Sequence, residues 1–204
     1  MLFEDTYFEI KNKSEGLFKD RGSKFIARAY PVYSEQEVKD ILAELRKEFY
    51  DARHHCYSYI INPDKSTYRI NDDGEPSGSA GKPIHGQLLS HNLTNILVVV
   101  VRYFGGTKLG IPGLINAYKT ATKEAIANTT ILEKTVNDVY SLEYEYPLMN
   151  VAMKFLKDEN LKQQNSKFEM SCYLEISVRK KESDRIKTAI ENIHGIRIKY
   201  LRTE

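Results

Sequence analysis

The stretch that decides the fold is Ile96 to Gly113, ILVVVVRYFGGTKLGIPG. Six consecutive apolar residues, Ile96 to Val101, leave no polar face, so this strand must lie mid-sheet with both faces covered. Gly105, Gly106, Gly110 and Gly113 then interrupt it. After them LINAYKTATKEAIANT puts Leu114, Ala117, Tyr118, Ala121, Ala125 and Ile126 on one side of a helix. The order strand, glycine-rich turn, helix sets free N–H groups at a helix start, where an anion is attracted. Arg102 and Lys108 would add charge. The spacing is neither a dinucleotide fingerprint nor a Walker A sequence, and Pro112 removes one N–H. Two readings stay open: a tight turn with packing glycines, or a contact for phosphate.

Upstream, Asn71 to Gly86 reads NDDGEPSGSAGKPIHG. Its glycines and prolines forbid long regular structure and predict a structured loop. Asp72, Asp73 and Glu75 are oxygen donors for a hard cation or simply an acidic turn, and they lack full calcium-loop spacing. Ser77, with Gly78, Ser79 and Gly81, either cradles a backbone or folds over the sheet. Lys82 belongs to the same candidate surface. Pro83 fits the first turn of a short helix.

Further upstream, HHCYSYII, from His54 to Ile61, reads as a strand. Neighbours on a strand face opposite ways, so His54 shares a side with Cys56 and His55 with Tyr57. The two histidines therefore do not easily serve one metal. Either can meet Asp72, Asp73 or Glu75, as a carboxylate-tuned base or as a structural histidine with its partner.

Gly22 to Val32 reads as a strand. Ser34 caps the helix that follows, with Glu37 in capping-box position and Val38, Ile41, Leu42, Leu45 and Phe49 as its stripe. Beyond Val136 the pattern is strand–helix–strand–strand–helix–strand, the split order of a ferredoxin-like domain. Its first helix opens at Pro147 and turns Leu148, Val151, Ala152, Phe155 and Leu156 inward. Tyr140, Tyr144, Tyr146 and Tyr173 read as sheet packing. Arg179, Lys180 and Lys181, joined by Lys199 and Arg202, form at most a weak basic patch.

The 204 residues suffice for one large or two small cores, and the formal net charge is +2. Up to Thr135 there are 18 basic and 17 acidic residues, and beyond it 12 and 11. A large electropositive wrapping surface is not expected, and the balance leaves room only for a local patch. Cys56 and Cys172 are too few and too far apart for a disulfide framework or a cysteine zinc site, and read as small buried hydrophobes. No segment approaches the roughly 20 apolar residues of a membrane span. A cytoplasmic, reduced protein without membrane contact, cofactor or bound metal is expected.

DARHHCYSYII, NDDGEPSGSAGKP and VVVRYFGGTKLGIPGLINAY, in this order, closely resemble the IMPACT/YigZ family. The matching positions include Arg53, His54, His55 and Cys56; Asp72, Asp73, Gly74 and Glu75; and Arg102, Phe104, Gly105, Gly106 and Gly110. Two positions depart from the family: Tyr57 stands where a tryptophan is usual, and Ile111 and Pro112 replace a threonine and a glycine. The resemblance implies an α+β protein. Residues 1–135 would form a domain like ribosomal protein S5 domain 2. Residues 136–204 would form a ferredoxin-like domain similar to one in elongation factor G. It also implies a link to translation, which eukaryotic relatives reach through a different flanking domain that is not expected in this chain.

The function expected is a translation-associated regulatory factor that binds RNA or the ribosome, without established catalysis. The alternatives are a hydrolase or transferase for a phosphorylated or nucleotide substrate, and a protein-binding regulator. An enclosed pocket with convergent polar groups would favour the enzyme. An open, mildly positive groove would favour the factor.

Overall fold

A computed structural model describes residues 5–204. In chain order the first elements are β1 (Thr6–Ile10), β2 (Ser14–Asp20), β3 (Ser23–Pro31), α1 (Glu35–Glu48), β4 (His54–Ile61) and β5 (Thr67–Asn71). They continue with α2 (Gly81–Ser90), β6 (Ile96–Tyr103), α3 (Gly110–Ala127) and β7 (Ile131–Thr135). The last are β8 (Asn137–Glu145), α4 (Met149–Asp158), β9 (Lys162–Lys167), β10 (Ser171–Arg179), α5 (Ser183–Glu191) and β11 (Arg197–Thr203). The protein is thus mixed α+β. It divides into two compact units: residues 7–134, and residues 135–204 together with Asp5 and Thr6.

The larger unit is built on a five-stranded sheet in the order β2-β3-β6-β4-β5, with each neighbouring pair antiparallel. β6 is central, and its apolar run explains why. Ile96, Val98 and Val100 pack with α2 and α3, whereas Leu97, Val99 and Val101 pack with Val38 and Leu45 of α1. A run buried on both sides is usual in parallel sheets. Here helices on either face of an antiparallel sheet make the same demand.

The first strand read from the sequence began at Gly22, and the structure adds β1 and β2 before it. The inward positions of β2 are Ser14, Gly16 and the partly buried Phe18, while Leu17 is 49% exposed, so the strand shows little apolar alternation. Gly16 is small because α3 lies directly on it: a Cβ there would come 2.4 Å from the Ala125 nitrogen. Arg21 and Gly22, both at positive φ, link β2 to β3 as a two-residue hairpin turn.

On α1, Ser34 Oγ accepts from the Glu37 N–H at 3.2 Å. The returning bond of the capping box goes one residue further back, from the Tyr33 N–H to Glu37 Oε2. The helix expected from Leu114 starts four residues earlier, so Gly110 to Gly113 are its first turn. Pro112 costs no helix bond there, because a first-turn N–H has no intrahelical acceptor.

In the smaller unit the sheet order is β11-β8-β10-β9, antiparallel throughout. Tyr140, Leu142 and Tyr144 of β8 and Leu174, Ile176 and Val178 of β10 share a core with both helices, α4 and α5. Three details differ from the sequence reading. Pro147 sits in a short 3-10 turn, Tyr146–Leu148, before α4. Val151 is 46% exposed, and Tyr146 is exposed instead of packed in the sheet. Arg179 donates through Nε and Nη2 to both oxygens of Asp5, at 2.8 and 2.9 Å. Burial pushes the Asp5 carboxyl up, but Arg179 and the Lys181 N–H outweigh it and hold it below the ordinary range.

Candidate functional site

The antiparallel register sets His54 opposite Arg102 and Cys56 opposite Val100, on the face covered by α2 and α3. His55 lies opposite Val101, on the α1 face with Tyr57. The two histidines thus belong to different environments.

On the α1 face, the Asp73 carboxylate accepts from the His55 N–H at 2.6 Å and from Arg46 at 3.1 Å. Burial and the Arg46 cation push the His55 imidazole below its ordinary pKa, against the upward pull of Asp73 and the Leu45 and Phe49 carbonyls. His55 is therefore a neutral packing residue at neutral pH.

Asp72 is also committed. Its carboxylate accepts from the Gly78, Ala80 and Gly81 N–H groups at 2.8, 3.1 and 2.8 Å, closing the acidic loop onto the start of α2. Ser77 on that loop and Lys82 in the first turn of α2 are exposed and do not line the cavity described below. Among the described residues no group of three or more His, Cys, Asp or Glu side chains is placed to hold a metal ion.

Glu75 forms the buried centre of the other face. Its Oε1 accepts from Arg102 Nη1 at 2.6 Å and from the Tyr118 hydroxyl at 2.8 Å. Cys56 Sγ lies 3.3 Å from that hydroxyl and donates to the Asp72 carbonyl at 3.0 Å. Burial pushes the Tyr118 phenol far up, and Cys56 and Glu75 add to it, so Tyr118 stays a neutral donor. Burial also pushes the Cys56 thiol up, and the Tyr118 bond offsets only part of this. A thiol held protonated is no nucleophile. The Arg102 guanidinium carbon stands 5.4 Å from the Phe25 ring centroid and 5.6 Å from that of Phe104, within cation–π range of both.

Above this centre is a cavity of about 470 Å³. Arg53, His54, Glu75, Arg102, Lys108 and Gly110 line it, with Pro76, Phe104, Leu109, Ile111 and Leu114 as the apolar wall. His54 Nδ1 is 2.8 Å from the Asp73 carbonyl, which can only accept, so Nδ1 carries the proton and Nε2 is the ring atom left to accept. Arg53 and Lys108 are exposed and have no ion pair among the described residues. The α3 N-terminus reaches the same cavity at Gly110 and Ile111, and no side chain caps it. Phe104 and Ile111 are 51% and 54% exposed at the mouth.

The glycines divide by role. A Cβ on Gly105 would fall 1.9 Å from the Gly22 carbonyl carbon, so Gly105 is there for backbone packing. Gly106 has φ +88° and faces open space outside the cavity. A Cβ on Gly113 would lie 2.9 Å from Leu109 Cβ, which places Gly113 in packing too.

The fold thus gathers six candidates from the sequence reading in one cavity and leaves His55, Asp72, Asp73, Ser77, Lys82, Gly105, Gly106 and Gly113 outside it. Phe104, Leu109 and Ile111 line the cavity and Tyr118 bonds to Glu75 beneath it, although the sequence reading named none of them as a candidate site residue. The signal for Phe104 was present: an aromatic residue two places after Arg102, at a strand end. Two members of the basic patch of the smaller unit are paired with carboxylates. Arg179 binds Asp5, and Arg202 reaches Glu175 and Glu204 at 3.3 and 3.2 Å.

The family model for the Impact N-terminal domain matches residues 21–126, which contain this whole cavity. The IMPACT family member YvyE of Bacillus subtilis (strain 168) is 30% identical over 88% of this chain and 82% of its own length. The IMPACT family member YigZ of Escherichia coli (strain K12) is 39% identical over 61% of this chain and 62% of that one. A crystal structure described as that of a hypothetical protein superposes on 98% of this chain and 99% of that one, with a TM-score of 0.69 and 26% identity. The chain belongs to the IMPACT family.

Proposed function

We propose that the chain is a translation-linked regulatory factor that binds RNA through phosphate at the Arg53–Lys108 cavity, without itself catalysing a reaction. The observation that carries this is the pairing of two unpaired cations, Arg53 and Lys108, with the uncapped start of α3 around one opening. Helix N–H groups and free cations both favour a phosphate oxygen. Phe104, half-exposed beside them, is a stacking platform for an unpaired base. The chemistry of the lining favours binding over covalent catalysis. Glu75 is engaged by Arg102 and Tyr118, and Cys56 is held as a thiol. The translation link is the expectation carried by family resemblance.

We propose further that residues 7–134 resemble ribosomal protein S5 domain 2 and that the smaller unit is ferredoxin-like. The sheet order of the smaller unit supports the second assignment.

The test is fluorescence anisotropy of a labelled single-stranded RNA with wild type, R53A/K108A and F104A. Folding of each is checked by circular dichroism. The proposal expects R53A/K108A to lose at least tenfold in affinity and F104A to lose about 1–3 kcal/mol of stacking. Unchanged affinity in folded R53A/K108A would remove RNA from this cavity.

A further inference from the structure

The smaller unit carries a second groove of opposite character, about 1220 Å³ in volume, at the end of its sheet where β8 leaves, β10 enters and β11 begins. Three exposed apolar side chains line it: Tyr146 at 59%, Phe168 at 43% and Met170 at 90%. Three carboxylates, Glu143, Glu145 and Glu169, line it as well, against one cation, Arg197. Arg197 is itself 3.3 Å from Glu143. Three negative charges and one positive leave the lining at −2, on a chain whose formal net charge is +2.

The floor is built by packing. Gly195, at φ +90°, brings the chain so close to Leu148 that a Cβ would lie 2.6 Å from Leu148 Cδ1. The Tyr146 N–H donates to the Met170 carbonyl at 3.2 Å, holding one side of the β9–β10 hairpin against the 3-10 turn. Tyr144 lines the groove, and its hydroxyl is buried with no hydrogen-bond partner among the described residues.

We propose that this groove docks a basic peptide segment of a partner protein, one in which lysine or arginine alternates with an apolar side chain. Charge complementarity selects the occupant: the carboxylates attract cations and repel the phosphates of a nucleic acid. Tyr146 and Phe168 offer π faces to an ammonium or guanidinium. Met170, flexible and polarizable, fits side chains of different shape. Apolar patches rimmed by charge mark such interaction sites. The inference stands on residues separate from the phosphate cavity and does not depend on RNA binding there.

The experiment measures binding of a fluorescein-labelled peptide of alternating lysine and leucine to the full chain, beside a counterpart with glutamate in place of lysine. Wild type is expected to bind the basic peptide and not the acidic one. The triple variant E143Q/E145Q/E169Q is expected to bind at least tenfold more weakly, and M170S at least threefold. Both are checked for an unchanged thermal midpoint. Equal binding of the two peptides, or an undiminished affinity in the folded triple variant, would overturn the proposal. So would a concentration-dependent dimer in sedimentation that M170S abolishes, since a second copy would then fill the groove.

Discussion

Glu75 and Arg102 meet at 2.6 Å with both side chains more than nine-tenths out of solvent, between the acidic loop and the end of β6. This ion pair joins the two stretches that stand out most in the sequence. It also sets the base of the cavity lined by Arg53 and Lys108, since it holds Arg102 between Phe25 and Phe104. Removing one partner from a buried pair strands the other charge and costs about 3–5 kcal/mol. E75A and R102A should each lose stability on that scale in urea unfolding. The double variant should lose less than the sum of the two. Additive losses would show that the two residues act independently.

The turn after β6 makes a sharper contrast. G105A forces a Cβ into the Gly22 backbone, with the Ser23 nitrogen only 2.1 Å away. No rotamer relieves a clash with main chain, so a loss above about 4 kcal/mol or failure to fold is expected. G106A meets nothing within 4 Å and carries only the strain of a positive φ, about 1–2 kcal/mol. Thermal melts of the two variants check the order. Similar midpoints would contradict the close approach of Gly105 to Gly22.

Asp72 ties the acidic loop shut. D72A removes the acceptor for three N–H groups and should cost at least about 2 kcal/mol. D72N should recover part of this, because its amide oxygen still accepts. Hydrogen exchange at Gly78, Ala80 and Gly81 reads the effect locally, and unchanged protection in D72A would contradict the assignment.

The His55 environment has a pH signature. Its folded pKa lies below the unfolded value near 6.5, through burial first and Arg46 second, with Asp73 opposing. The unfolded chain therefore takes up a proton before the folded one does. The contribution to stability is present above about pH 6.5 and is lost as pH falls through the lowered folded value. Urea midpoints at pH 7.5 and 5.5 should fall further for wild type than for H55Q. An equal fall in both proteins would remove His55 from the acid response.

The sequence is most legible where periodicity coincides with burial. The run Ile96–Val101 places β6 at the centre, and Leu114, Ala117, Tyr118 and Ala121 give the inner face of α3. It is least legible where small or polar residues face inward. Ser14 and Gly16 conceal β2, and Gly110 and Pro112 disguise the first turn of α3. The candidate site divides in the same way. Alternation along β4 separates His54 from His55, but no local pattern shows that Tyr118, 43 residues on, bonds to Glu75. That contact follows from tertiary packing, as does the commitment of Asp72 and Asp73 to backbone N–H groups.

The central claim is phosphate contact by Lys108 at the mouth of the cavity. Its most direct test is a salt titration of RNA binding by wild type and K108A, both confirmed as folded. Neutralising one phosphate fewer releases fewer counterions. The log–log slope of affinity against salt should therefore flatten by about one unit in K108A. Equal slopes for the two proteins would contradict the account.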